Sequence, residues 1–205
     1  MVFETKTTQL EEKLTKLKQD EYNAHKARQY HRREKENSAN EKDFEKHDVK
    51  DHFFTQQLEK IRLKIQSVEG QIAAENLRIK EEEYRSELKS FYLEMSELLK
   101  TLKDALSKVM QGKLEPIDDL ASDLFNVFTK RSLSFKKEDL EPFQYLNLQS
   151  VKIRIARILE EHGEMVKITS LRGPEIAAQK RTNIETWTKQ LIGQIDSALE
   201  MLKIE

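Results

Sequence analysis

The sequence predicts an all-α protein: an elongated N-terminal coiled coil, built as one long helix or a helical hairpin, followed by a small C-terminal helical bundle. Three observations carry that prediction. The 205 residues include only 5 Gly and 3 Pro, too few to punctuate the short strands of a sandwich or barrel. Charged residues make up 36% of the chain and hydrophobic residues 37%, the balance of helices with narrow apolar seams and wide solvated faces. The stretch FFTQQLEKIRLKIQSVEGQI sets Phe54, Leu58, Ile61, Ile65, Val68 and Ile72 at alternating steps of four and three, the spacing of a coiled-coil seam.

The elements follow in order. Leu10, Leu14 and Leu17 begin a heptad, which then meets Glu21, Ala24, Arg28 and His31 and fades as an apolar seam. Arg32 to His52 is almost wholly polar. Within it Ser38 and Glu41 have the spacing of a capping box, which predicts one helix ending near Asn37 and a second beginning near Ala39. One uninterrupted polar helix is the alternative. A helix from Ala39 to Met110 would be roughly 105 Å long at about 1.5 Å per residue. After Ile72 the apolar phase slips by two positions and continues through Ala74, Leu77, Tyr84, Leu88, Phe91, Met95, Leu98, Leu102, Ala105 and Val109. Gly70 lies at the slip and fits either the close approach of a neighbouring backbone or a tolerated surface position.

Proline is absent before Gln111, and Gly70 is the lone glycine there. Both punctuating residues recur from Gly112 onward. The boundary is therefore expected near Gly112, with a coiled-coil region over 1–111 and a compact helical domain over 112–205. Pro116 suits a first helical turn, with Ile117, Leu120, Leu124 and Phe128 on one face. KRSLSFKKED reads as a basic loop, and Pro142 starts the short piece EPFQYLNL. Val151, Ile155, Ile158 and Leu159 have helical spacing, with Gly163 placed to end that helix. VKIRI and MVKITSL also alternate, so a small hairpin through EEHGE stays open. Pro174 opens a long helix whose stripe is Ile184, Trp187, Leu191, Ile195, Ala198 and Leu202.

Chemistry is sparse. With no cysteine, disulfides, thiolate metal sites and Cys nucleophiles are excluded. The residues three before each histidine are Tyr22, Arg28, Phe44, Val49 and Leu159, so the Glu-x-x-His motifs of a di-metal bundle are missing. Neither HExxH, G-x-S-x-G, a P-loop nor G-x-G-x-x-G occurs. EKHDVKDH pairs His47 with Asp51 and Asp48 with His52 at one-turn spacing, which a solvated helical face explains. The expectation is no enzyme, no catalytic residue, no metal and no cofactor.

What remains is assembly. The apolar seams look too long and thin for the chain to cover alone, so the expected function is a structural or adaptor subunit. It would form homo- or hetero-oligomers with helical proteins through coiled-coil seams. The expected partner-binding residues are Phe54, Leu58, Ile61, Ile65, Val68, Leu88, Phe91, Met95, Leu98 and Leu102. The slip near Gly70 disfavours one long uniform parallel dimer, which needs a single register.

Two alternatives stand beside it. A BAR-like helical dimer could lay basic patches on an anionic membrane, using HKARQYHRREK, KRSLSFKK and KIRIAR. RIARILEEHGEMVKITSLRGPEI has the outline of a helix-turn-helix, but 36 Lys+Arg against 37 Asp+Glu supply no global field for nucleic acid. MVFETKTTQLEEK lacks the pattern of a secretory signal, and no apolar run approaches the ~20 residues of a membrane span. An intracellular location is expected, the cytoplasm first and the nucleus as alternative.

Overall fold

The computed structural model describes residues 2–113, 116–169 and 174–202. Helices account for nearly all of them: α1 (Val2–Glu36), α2 (Glu41–Met110), α3 (Ile117–Arg131), α4 (Glu141–Leu146), α5 (Leu148–Thr169) and α6 (Pro174–Met201). Short 3-10 turns at Ser132–Ser134 and Glu138–Leu140 join α3 to α4. No strand occurs among the described residues, and none of their helices is long and apolar enough to cross a membrane. The all-α expectation holds.

The chain packs as two compact units, Met1–Tyr84 and Arg85–Glu205. Punctuation had suggested a division at Gly112, yet Gly112 only ends α2, in a turn that needs its positive φ of 80°. The reason lies in α2 itself. From Phe91 to Val109 its inward side chains belong to the same buried cluster as those of α3 to α6.

Between α1 and α2 the polar stretch does break, at Asn37–Asn40. The cap differs from the expected box. Ser38 turns back, its Oγ donating to Glu34 O at 2.8 Å, while Asn40 caps α2 by accepting the Asp43 backbone N–H on Oδ1 at 2.9 Å. Asn40 Nδ2 also donates to Asp43 Oδ2 at 2.8 Å. An Asn cap satisfies an otherwise orphaned helical N–H, and Glu41 and Asp43 favour the positive end of the helix dipole.

In the Arg85–Glu205 unit α2 contributes a broad stripe, Phe91, Met95, Leu99, Leu102 and Leu106, each without solvent exposure. The second seam's phase thus works from Leu88 onward, widened by Leu99 and Leu106 because several helices cover it rather than one. Earlier in that phase, Ala74 and Leu77 are exposed. Around Phe91 sits an aromatic cluster: Phe135 stacks at 5.0 Å between ring centroids, Phe143 lies at 5.3 Å and Phe128 at 6.4 Å. The loop expected over KRSLSFKKED is therefore anchored through Phe135. Arg131 Nη1 donates to Glu94 Oε2 at 2.5 Å, tying the end of α3 to α2.

Gly163 does not end α5, and no hairpin forms there; the helix runs through to Thr169. A helical interior glycine costs about 0.5–1 kcal/mol relative to alanine. Buried His162 and half-buried Met165 continue the inward face of Val151, Ile155 and Ile158, so the helix keeps its packed face past Gly163. The turn of the helix-turn-helix outline is absent at Gly163, and residues 170–173 lie outside the described residues. On α6 the stripe is as expected except at one position. Thr188 is fully buried, and Trp187 is only half-buried.

Gly70 is exposed, with nothing within 4 Å of the place a Cβ would take. The surface reading is correct and the close-approach reading is not.

Candidate helix-docking groove

The seam Phe54–Ile72 closes against the same chain. Ion pairs between α1 and α2 run in opposite order along the two helices: Lys6 with Glu75, Lys18 with Glu69, Glu21 with Arg62, Arg28 with Asp51, and Lys35 with Asp48. That order defines an antiparallel hairpin. Its inward positions keep the heptad steps along α1 from Leu10 through Leu14, Leu17, Glu21, Ala24, Arg28 and His31, all buried or half-buried. The seam does not fade after Leu17; it turns polar and is answered by polar groups opposite. Arg62 Nε donates to Glu21 Oε1 at 2.8 Å, and Arg28 Nε to Asp51 Oδ1 at 3.0 Å.

Near the hairpin tip the Nδ1 atoms of His31 and His47 are 3.0 Å apart, and His31 stacks on Phe54 with 5.6 Å between centroids. Burial lowers the pKa of His31, helped by the charges of Lys50 and His47 and opposed by Glu34 and Asp51. The EKHDVKDH cluster is spent on such contacts. Asp51 is paired with Arg28, Asp48 with Lys35, and the His52 ring with Gln56. Among the described residues no group of three His, Cys, Asp or Glu could hold a metal ion.

Glu75 is the buried carboxylate of the hairpin, 5% exposed. Hydrogen bonds from Arg78 and then Lys6 hold its pKa at about 2, against an opposing effect of burial. A carboxyl depressed in the folded state stabilises the fold above its ordinary range, and that stabilisation is lost as pH falls toward about 2. Glu75→Gln is therefore expected to flatten the loss of hairpin helicity over this acid window, followed by circular dichroism. Identical acid limbs in the two proteins would refute the assignment.

The ten expected partner-binding residues fall into three places. Leu58, Ile65 and Val68 are 3%, 8% and 2% exposed within the single chain, so α1 already covers them. Leu88, Phe91, Met95, Leu98 and Leu102 lie in or against the core of the Arg85–Glu205 unit. Phe54 and Ile61 are only half-buried, and they line an open groove of about 600 Å³ along the hairpin. The expectation that the seams outrun the chain's own capacity is corrected: the chain folds back on itself, and most of the seam is satisfied internally.

The groove exists because α1 is small where α2 is large. Ala24 and Ala27 stand with Leu17 on one wall, Phe54 and Ile61 on the other. Its rim carries Asp20 and Asn23 on α1 and Gln57, Lys60 and Lys64 on α2. The sequence reading missed Ala24 and Ala27 as a wall; the signal was a pair of alanines three apart inside a polar run, where one helical face narrows.

The basic patches are answered in part by acids or amides. In HKARQYHRREK, Arg28, Arg32 and Lys35 pair with Asp51, Glu36 and Asp48, and in KRSLSFKK Arg131 pairs with Glu94. The chain matches no protein-family model, and neither a curated protein nor a solved structure resembles it closely enough to count as a match.

Proposed function

We propose that the protein is a non-enzymatic structural or adaptor subunit whose N-terminal hairpin receives an amphipathic helix of another protein in the groove between α1 and α2. One observation carries this reading. Leu17, Phe54 and Ile61 stay half-buried beside Ala24 and Ala27, although the hairpin's heptads are in register and bury Leu58 and Val68. A third helix would remove that remaining apolar surface from water. From Leu17 to Ala27 the wall spans about 15 Å at about 1.5 Å per residue, room for roughly three turns of an incoming helix.

The rim indicates the occupant's chemistry. Lys60 and Lys64 are exposed on the α2 side, so the incoming helix carries Asp or Glu along that edge and apolar residues toward Phe54 and Ile61. Complementary flanking charges set partner choice and orientation in helical assemblies. Contact between copies of this chain through their α2 edges would oppose like charges instead.

A photo-crosslinking residue placed at Asn23, on the rim, should link to an acidic amphipathic helix of a different protein. The same probe at Leu63, 67% exposed, should not. Ala27→Glu, which puts a charge into the groove and leaves Leu58 and Val68 themselves unchanged, should abolish the Asn23 product. Cross-links from Leu63 alone, products only with a second copy of this chain, or an Asn23 product that survives Ala27→Glu would each refute the proposal.

A further inference from the structure

We propose that the recess between α5 and α6, lined by Arg154, Arg157, Trp187 and Gln190, is a binding site for a phosphate monoester. The proposal is independent of the helix-docking groove, which lies on other helices.

Two helical spacings build the recess. Arg154 and Arg157 are three apart on α5, and Trp187 and Gln190 are three apart on α6, so each pair shares one face of its helix. The helices pack side by side, which brings the four residues to one place. The sequence had set KIRIAR among the basic patches and Trp187 in a core stripe. In the fold Thr188 is buried instead, and half-buried Trp187 borders the recess.

Its charge distinguishes it from the other basic clusters. Nearby, Lys180 donates to both Glu161 and Glu164, and the cations Arg28, Arg32, Lys35 and Arg131 sit against carboxylates. Among the described residues, two guanidinium groups, an amide and an indole line this recess, and no carboxylate does. Arg154 Nη1 donates to Gln194 Oε1 at 2.9 Å. That bond orients the guanidinium plane and leaves its remaining N–H groups for a ligand, since an arginine has five donors in a fixed fork.

Two forks on one face suit a tetrahedral dianion better than a planar carboxylate. A phosphate monoester offers three strong acceptor oxygens and close to two charges at neutral pH, and arginine recognises it bidentately. The recess has a volume of about 210 Å³, well above the roughly 10–15 Å³ that one water needs. It admits the phosphate together with the group that carries it, for which Trp187 provides an apolar surface and Gln190 an amide. The carrier is either a phosphorylated side chain of a protein or a small phosphorylated metabolite.

Trp187 is the chain's single tryptophan, so the site holds its own reporter. The full-length protein is titrated with inorganic phosphate, O-phosphoserine, a phosphoserine peptide, its unphosphorylated counterpart and glutamate, at constant ionic strength, while tryptophan emission is followed. The expected result is a saturable change with phosphate, phosphoserine and the phosphopeptide, and none with glutamate or the unphosphorylated peptide. Tighter binding of the phosphopeptide than of free phosphoserine assigns a protein carrier, and the reverse order assigns a small metabolite. Arg157→Gln should weaken binding at least tenfold, and Arg157→Lys, which keeps the charge but loses the fork, should weaken it by less. Arg157 is exposed, so both variants should keep the wild-type helicity. Responses that do not saturate, that glutamate matches, or that persist in Arg157→Gln would overturn the proposal.

Discussion

Phe91→Ala is expected to cost the Arg85–Glu205 unit about 3–5 kcal/mol. Phe91 has no exposed surface, and its ring neighbours come from separate pieces of chain: Phe128 from α3, Phe135 from the segment between the 3-10 turns, and Phe143 from α4. Arg131 also lies over the ring, 5.5 Å from its centroid. Truncation leaves a cavity that closes only if these elements move together, and close-packed interiors relax only in part. Denaturant unfolding followed by Trp187 emission reads the effect directly, because that residue belongs to the same unit. The midpoint should fall with the slope unchanged. A loss below about 1 kcal/mol would mean that the aromatic cluster is not the keystone its geometry implies.

The second large effect belongs to the hairpin. Leu58→Asp should destabilise α1 against α2 by about 3 kcal/mol or more, combining the lost apolar burial with an unpaired carboxylate taken out of water. Glu21 and Ala24 occupy the α1 positions near it in the antiparallel register, and Arg62, one turn along α2, is already committed to Glu21. Leu63→Asp, five residues away on an exposed face, should change stability by no more than about 0.5 kcal/mol. Hydrogen exchange along α1 in the two variants makes the comparison. Protection should collapse in the first and persist in the second. Equal behaviour would show that the seam through Leu58 is closed by something other than α1.

Particular residues show how much of this was legible in the chain. The scarcity of glycine and proline, together with the four-three spacing through Phe54–Ile72, already specified helices and a seam, because local periodicity decides which side chains share a face. The break near Asn37–Asn40 was legible for the same local reason, although the cap fell on Asn40 and not Ser38. Pairings across sequence were not legible. Glu21 looked like the point where a heptad failed, yet it is an inward position held by Arg62, and only the antiparallel register brings the two together. Gly163 looked like a helix terminator by composition, but packing on the inward face of α5 carried the helix past it. Of the groove, Phe54 and Ile61 were expected from the seam, whereas Ala24 and Ala27 stood out only once α1 lay against α2. Arg154 and Trp187 were noted for unrelated reasons, a basic patch and a core stripe, before the packing of α5 on α6 made them neighbours.

The sequence alone therefore determined the helical class and the identity of the apolar seams, since each depends on spacing within a few turns of one helix, while it left the polar stretch between α1 and α2 open to a hairpin or to one uninterrupted helix. Tertiary structure alone decided what covers those seams, which polar residues complete them, where the compact units divide, and which gaps stay open to a ligand. Those outcomes depend on distances between residues far apart in the chain, and a one-dimensional pattern contains no distances of that kind.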